Sequence, residues 1–323
     1  MRITSLVDSY DTVLFDLDGV IYRGPHALPG VTEVIADIEA RGIRCLYVTN
    51  NASRTAEMVA GHLRDLGIQC TEEQVVTSPQ AAAVILSGMF PSGAHVYVVG
   101  GEGVDQALRV AGFVPTRNPE DRPVAVVQGF APDVEWRDLA AASYLIESGC
   151  AWIATNLDLT LPTEHGIAPG NGSLVAAVAN ATGRQPDHVA GKPEPALFLT
   201  AMQRVGATRA LVVGDRLDTD IAGADRARID SLYVATGVHS VSDVFAADPG
   251  MRPTFLGPDL GALLQPAPSP DGERAWDVAT SLAQECWRAR DASTAIDVGE
   301  VVARWTSRFP GALPHPAIST VGH

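Results

Sequence analysis

Three apolar runs too short to be helices each end on an oxygen-bearing side chain. Val13-Leu14-Phe15 runs into Asp16, Arg44–Val48 into Thr49, and Ala210–Val213 through Gly214 into Asp215. Apolar, β-branched runs of this length, without alternation, fit strands buried on both faces of a parallel sheet. Helical patterns fill the intervals. Val31–Arg41 separates the first two runs, and Ser53 can cap a following helix whose Met58, Leu63 and Leu66 give it an apolar face. A βαβ unit crosses over right-handed and sets the loops after its strands on one edge. Asp16, Asp18 and Thr49 are therefore expected on one edge of a doubly wound, Rossmann-like α/β sheet.

From about Gln80 the alternation restarts as if a second sheet had begun. Val96–Val99, Val124–Val127 and Ala151–Ala154 read as strands, with helices over Val104–Ala111 and Asp138–Glu147. The simplest organisation is a core (1–80 and 190–262) interrupted by an inserted α/β cap (81–189), a common domain size. Past Leu260, Gln265-Pro266-Ala267-Pro268-Ser269-Pro270 reads as a stiff linker opening a small helical extension over 263–323. Beyond it Trp276, Ala279, Ala283, Cys286 and Trp287 share one helical face, and Val298, Val301, Val302, Trp305 and Phe309 another. Two helices cannot make a core alone, so these faces are expected to pack on the body or on a second copy. A homodimer through the cap or the C-terminal helices is one arrangement the sequence allows.

The balance of charge narrows the partners. A formal net charge of −15 disfavours nucleic acid or an anionic membrane as partner, since both are met by basic patches. Four scattered cysteines (Cys45, Cys70, Cys150 and Cys286) form no CxxC pair and no disulfide framework. Asp8 and Asp11 interrupt what would be a signal peptide, and no run approaches the ~20 apolar residues of a membrane span. A cytoplasmic protein is expected.

The residues at the strand ends suggest one chemistry. A carboxylate at Asp16 can attack phosphorus and split a difficult displacement into two easier ones. Asp18, two residues on, can protonate a leaving alkoxide and then deprotonate the water that clears the intermediate. Mg2+ suits such a site because it takes oxygen ligands, commonly one or two carboxylates together with phosphate and water. Asp215 is placed as a further ligand, with Asp220 behind it. Thr49, Asn50 and Asn51 can hold phosphoryl oxygens, and Lys192 in Gly191-Lys192-Pro193 adds positive charge against the charge that develops in transfer. Each fragment alone is ordinary: Asp-x-Asp-Gly is most often a turn, and a lone lysine a surface charge. Their ordered recurrence at strand ends is what carries the reading.

Other chemistries lack their motifs. Gly100-Gly101-Glu102-Gly103 has Gln106 where a dinucleotide loop needs its third glycine, so tight turns account for it. GxxxxGK[ST], HExxH and GxSxG are absent from the sequence.

These fragments resemble the haloacid dehalogenase superfamily, specifically its 4-nitrophenylphosphatase, phosphoglycolate phosphatase and glycerol-3-phosphate phosphatase branch. The resemblance runs from about Val13 to Val238. It includes Phe15-Asp16-Leu17-Asp18-Gly19-Val20, Thr49-Asn50-Asn51, Thr155-Asn156, Pro169-Gly170-Asn171-Gly172-Ser173, Gly191-Lys192-Pro193 and Gly214–Asp220. It implies Asp16 as nucleophile, Asp18 as acid and base, and Mg2+ held by Asp16, the backbone carbonyl of Asp18, and Asp215. The short Asp18–Thr49 interval leaves no room for a lid, whereas about 140 residues separate Thr49 from Lys192. That is the class II (IIA) cap arrangement, which disfavours a mutase. Dehalogenases lack the second aspartate, and P-type ATPases carry Asp-Lys-Thr-Gly instead. Glu194 and Asn171 depart from the usual family residues, and the tail past Leu260 has no counterpart in the pattern.

The implied activity is Mg2+-dependent hydrolysis of a small phosphomonoester, glycerol 3-phosphate or 2-phosphoglycolate first. Cap residues Asn156, Asp158 and His165 are the candidates for specificity. A sugar-phosphate or nucleotide phosphatase is an alternative, as is a weakly active binding module that docks a partner through its tail.

Overall fold

The computed structural model describes residues 4–163, 165–269 and 271–312. Pro270 of the linker and residues 313–323 of the extension lie outside the described residues. In chain order the strands are β1 (Thr12–Phe15), β2 (Tyr22–Arg23), β3 (His26–Ala27), β4 (Arg44–Thr49), β5 (Val75–Thr77), β6 (His95–Val99), β7 (Val114–Thr116) and β8 (Ala125–Gln128). They continue as β9 (Ala151–Ala154), β10 (Thr160–Thr163), β11 (Gly166–Pro169), β12 (His188–Val189), β13 (Ala210–Gly214), β14 (Asp230–Val234) and β15 (Phe255–Gly257). The α-helices are α1 (Val31–Ala40), α2 (Ala56–Asp65), α3 (Ser78–Ser87), α4 (Glu102–Val110), α5 (Trp136–Glu147) and α6 (Asn171–Thr182). After them come α7 (Ala196–Val205), α8 (Ala222–Ala227), α9 (Val241–Phe245), α10 (Ala275–Asp291) and α11 (Val298–Arg308). The chain divides into two compact units. Met1–Tyr47, Leu66–Ile68 and Arg204–His323 make the first, and Val48–Asp65 with Gln69–Gln203 the second.

In the first unit β1 lies between β13 and β4, and β14 and β15 extend the sheet beyond β13, with every pairing parallel. Phe15, the last residue of β1, stands opposite Val213 on one side and Tyr47 on the other. The chain leaves β1 toward β4 and leaves β13 toward β14. Strand order thus reverses between β1 and β13, the point at which a doubly wound sheet opens a crevice beyond its carboxyl ends. All residues of β1 and β13 are buried, which is why their sequences show no alternation. Helix α1 turns Val31, Val34, Ile35 and Ile38 inward, the i, i+3, i+4, i+7 spacing of a core-facing helix.

The C-terminal helices join this first unit. Ala279, Ala283 and Cys286 of α10 and Val301 and Trp305 of α11 are buried in one cluster with Val241, Val244 and Phe245 of α9, Tyr233 and Leu256. Trp276 and Trp305 meet edge to face, 5.4 Å between ring centroids. Of the two destinations expected for the apolar faces, the body is the one observed. The linker is tied down by Arg274, which donates to the carbonyls of Pro266 and Ala267, each at 3.0 Å.

The second unit holds a five-stranded parallel sheet, ordered β12-β9-β8-β6-β7, and the antiparallel hairpin β10–β11. Trp152 of β9 is fully buried in a cluster with Tyr97, Val126, Ala142, Ile146, Val175 and Val178. Helices α4 and α5 each begin two residues before the sequence expectation. The start of α2 is a correction. Ser53 spends its hydroxyl on Asn51 Oδ1 at 2.8 Å, and Thr55 Oγ1 instead accepts the Met58 N–H at 3.2 Å. The buried face of α2 is Ala56, Val59, Ala60 and Leu63, while Met58 is exposed. A methionine one position off the stripe looked apolar in sequence without lying on it. No helix among the described residues is long and apolar enough to cross a membrane.

Candidate active site

Asp16 follows β1 at the switch point of the first sheet, and its N–H continues the ladder to Val213 O at 2.9 Å. Asp215 follows β13, the neighbouring strand, and is fully buried. The chain then turns through a single π-helical turn, Leu217–Ile221, which carries Asp220 back toward the strand end, itself 1% exposed. One carboxylate oxygen each from Asp16, Asp215 and Asp220 falls within 4.8 Å of the others. Six ligands at ~2.1 Å around an octahedral ion stand up to about 4.2 Å apart, so this spacing lies within reach of one small cation. An all-oxygen, carboxylate donor set is that of a hard divalent ion such as Mg2+. The Asp18 side chain is exposed and is not one of the three clustered carboxylates.

Two glycines let the backbone close around Asp215. Gly19, in the Asp16-Leu17-Asp18-Gly19 turn, has φ +85°, and a Cβ there would stand 2.7 Å from Asp215 Oδ2. A Cβ on Gly237 would stand 1.7 Å from the same oxygen. This cradle explains a requirement for glycine that turn propensity alone would not. The loop after β14 supplies the cradle's other wall. Val238 N–H donates to Asp215 Oδ2 at 2.6 Å, and Thr236 Oγ1 donates to Gly19 O at 2.5 Å. Tyr233 donates its hydroxyl to His239 O at 2.6 Å. Burial raises the pKa of that hydroxyl, and the charge of Asp215 raises it further, so it stays a donor. At Asp218, burial pushes the carboxyl up, but hydrogen bonds from Arg216 at 2.8 and 3.1 Å outweigh this and hold it below its ordinary value.

In the second unit a polar network joins Asn50, Asn156, Asp158 and Lys192. Asn50 Oδ1 accepts the Lys192 N–H at 2.8 Å while Asn50 Nδ2 donates to Lys192 O at 3.0 Å. Lys192 is 4% exposed, an unusual burial for an ammonium-bearing chain. Gly191 leaves room for this clasp, because a Cβ there would lie 2.5 Å from Asn50 Oδ1. Asn156 Nδ2 donates to Asn50 O at 2.8 Å, and Asn156 Oδ1 accepts the Asp158 N–H at 3.1 Å. Asn171 Nδ2 donates to Asn156 O at 2.8 Å. Thr49 ends β4, and its Oγ1 accepts the Asn51 N–H at 3.1 Å. Asn51 Oδ1 accepts Ser53 N at 2.9 Å, so this side chain shapes the turn. His165 sits exposed at the tip of the β10–β11 hairpin, where its N–H donates to Thr163 Oγ1.

The sequence reading did not single out Gly237, Val238 or His239. Their contribution is backbone geometry in a loop after a strand, and the only trace in sequence is a Thr-Gly pair following the apolar run of β14.

Comparison with known proteins agrees with the geometry. Residues 13–114 match the family described as haloacid dehalogenase-like hydrolase, and residues 189–263 match the HAD-hydrolase-like family. D-glycerol 3-phosphate phosphatase of Mycobacterium tuberculosis is 48% identical over 261 residues, covering 81% of this chain and 73% of that protein. Acid sugar phosphatase of Staphylococcus aureus is 38% identical, covering 78% of this chain and 95% of that protein. The crystal structure of the M. tuberculosis glycerol phosphate phosphatase in complex with magnesium superposes with a TM-score of 0.86 at 40% identity, covering 94% of this chain and 99% of that one. With these matches and a three-carboxylate cluster at the switch point of a parallel sheet, the chain belongs to the haloacid dehalogenase-like hydrolases.

Proposed function

We propose that this chain is a Mg2+-dependent phosphatase of small phosphomonoesters, with glycerol 3-phosphate as the leading substrate. The observation that carries the proposal is the cluster of half-buried Asp16 with buried Asp215 and Asp220 at the β1–β13 switch point. The 48% identity to a D-glycerol 3-phosphate phosphatase supports the choice of substrate, and 2-phosphoglycolate is the second candidate.

In this reading an Asp16 carboxylate oxygen attacks phosphorus, and the ester P–O bond breaks as the O–P bond forms. Asp18 gives its proton to the departing alkoxide. Asp18, now a carboxylate, takes a proton from water. The water oxygen attacks the aspartyl-phosphate, and phosphate leaves with Asp16 restored. Asp18 is assigned the shuttle because its side chain is exposed to solvent and is not one of the three clustered carboxylates. Asp16, Asp215 and the Asp18 carbonyl would hold Mg2+, which when bound neutralises charge on the phosphoryl oxygens. Asp220 supports that set through its place in the cluster. Thr49, Asn51 and Lys192 are assigned to the transferred phosphoryl group. The Asn50 side chain is assigned to fixing Lys192, since its amide is already bonded to the lysine backbone. Segment 81–189 is assigned as the cap, with Asn156 and Asp158 as candidates for recognising the alcohol portion. His165 is an outlying candidate because it sits at an exposed hairpin tip.

A sugar phosphate is the second reading, favoured by the 38% identity to an acid sugar phosphatase. Four cysteines present as thiols, three of them buried, fit a reducing, cytoplasmic setting. The net charge of −15 favours small-molecule over nucleic-acid partners.

The test is phosphate release from glycerol 3-phosphate, 2-phosphoglycolate, sugar phosphates and nucleotides, with and without Mg2+, beside Asp16→Asn. Metal-dependent turnover of glycerol 3-phosphate that is lost in the variant is the expected result. Undiminished turnover in Asp16→Asn would remove the covalent mechanism, and preference for a sugar phosphate would replace the substrate.

A further inference from the structure

We propose that the C-terminal extension is a positioning device for the metal-binding carboxylate Asp215, acting through α9 and the loop 236–239. The inference rests on the reading of Asp215 as a metal ligand and gives the tail a task within the same site.

The path can be followed bond by bond inside the first unit. Trp287 of α10 donates its indole N–H to Val244 O in α9 at 2.8 Å. Arg252 lays its guanidinium over the Trp287 ring, 5.6 Å from the centroid, donates Nε to Ala247 O at 3.2 Å, and is gripped by both oxygens of Asp291 at 2.6 and 2.7 Å. Arg290 reaches Asp248 at 2.9 Å. The last turns of α10 thus hold the end of α9 and the residues that follow it. Helix α9 has only five residues, far below the length at which a helix is stable without tertiary support. Its buried Val241, Val244 and Phe245 share their cluster with α10 and α11, so the extension is a large part of that support.

The other end of α9 runs directly into the Asp215 cradle. Ser240 and Asp243 form its capping box, and His239 precedes it. His239 Nδ1 accepts the Leu217 N–H at 3.2 Å, and the His239 N–H lies 3.4 Å from Asp215 O. Val238 then places its N–H 2.6 Å from Asp215 Oδ2. The Val238 side chain is 67% exposed and anchors nothing, so the loop is set by its backbone attachments and by α9 behind it. A ligating carboxylate with one oxygen fixed by a backbone amide has its orientation fixed as well, and loss of such outer support typically weakens metal binding 10–100-fold. A more distant anchor should cost less.

The experiment is calorimetric titration of Mg2+ into the full chain without substrate, comparing wild type, Trp287→Phe, Trp305→Phe and Asp215→Asn. Trp287→Phe keeps the ring and removes the bond to Val244, and the Mg2+ dissociation constant should rise about three- to tenfold. KM for substrate at saturating Mg2+ should not move. Trp305→Phe removes an indole bond of the same 2.8 Å length, to Ala275 O within the extension rather than to α9, and should shift Mg2+ affinity less than Trp287→Phe does at a similar loss of melting temperature. Wild-type Mg2+ affinity in Trp287→Phe, with binding abolished in Asp215→Asn, would overturn the inference and leave the metal site standing. Wild-type affinity in Asp215→Asn would instead overturn the metal assignment beneath it. Should Trp287→Phe fail to fold, Arg252→Gln releases the same end of α9 and is expected to shift the dissociation constant in the same direction.

Discussion

Asn50 and Lys192, 142 positions apart in sequence, are joined by two hydrogen bonds that pair the asparagine side-chain amide with both polar groups of the lysine backbone. A primary amide is the one side chain that offers a donor and an acceptor in the spacing a backbone N–H and C=O demand. The clasp fixes the backbone of a buried lysine, and with it the direction in which its side chain departs. Asn50→Asp keeps the acceptor but loses the donor to Lys192 O, and it sets a second carboxylate beside Asp158, whose oxygens lie 3.3 and 3.4 Å from Asn50 Nδ2. We expect kcat/KM to fall about 10–100-fold, a size consistent with misplacing a positioned group. Steady-state kinetics on the purified variant, with circular dichroism to confirm folding, would check it. Activity within twofold of wild type would mean that the lysine does not depend on the clasp.

Gly19→Ala is predicted to damage the metal site more than the fold. The added Cβ would meet Asp215 Oδ2 at 2.7 Å, and φ +85° is a conformation alanine adopts at a cost. Either the turn or the carboxylate must move. Phosphatase activity should drop at least about 100-fold at low Mg2+ and recover in part as Mg2+ is raised, since a shifted ligand weakens rather than removes the site. A titration of activity against Mg2+ reads this, and an unchanged midpoint would count against the cradle.

Trp305 is 1% exposed and plugs the space between α10, α11 and α9. Trp305→Ala should lower the stability of the first unit by about 3–5 kcal/mol, the range for removing a large aromatic from a packed interior. Urea unfolding followed by fluorescence would measure it. A loss below about 1 kcal/mol would mean that the extension is only loosely attached.

Much of this site could be read from sequence because its chemistry sits where the backbone leaves a buried strand. The runs before Asp16, Thr49 and Asp215 are apolar on both faces, so their strand assignment and shared edge follow from burial. The amphipathic stripes of α10 and α11 were likewise legible, down to Ala279, Ala283 and Cys286 on one and Val301 and Trp305 on the other. What covers those stripes was not, since periodicity identifies an apolar face without identifying its partner. Nor was the loop 236–239 legible. Its effect on Asp215 comes through the N–H of Val238, a group every residue but proline possesses, and no residue type marks which amide will be used. The sequence places Asp220 behind Asp215, but its arrival beside Asp16 depends on a π-helical turn that spacing alone does not reveal.

The attachment of α10 should weaken in acid, and the sign follows from one carboxylate. Asp277 is buried at the start of the helix and accepts the N–H groups of Ser269 at 2.8 Å and Arg274 at 3.0 Å as well as the Arg274 guanidinium at 2.7 and 2.8 Å. The guanidinium of Arg274 is the largest influence on its pKa, burial opposes it, and the two backbone amides reinforce it, so the pKa is lowered below the ordinary 3.8. A group whose folded pKa is depressed stabilises the fold fully above its unfolded value, and this contribution disappears as pH falls through the folded value. Asp277→Asn should therefore destabilise the protein at pH 7 by about 1.5–3 kcal/mol, the range for hydrogen bonds to a charged group. The difference from wild type should shrink once the pH drops below 3.8. Urea unfolding of both proteins at pH 7 and in that acid window decides the matter. A difference that stays constant across the two conditions would show that the carboxylate's charge is not what anchors the helix.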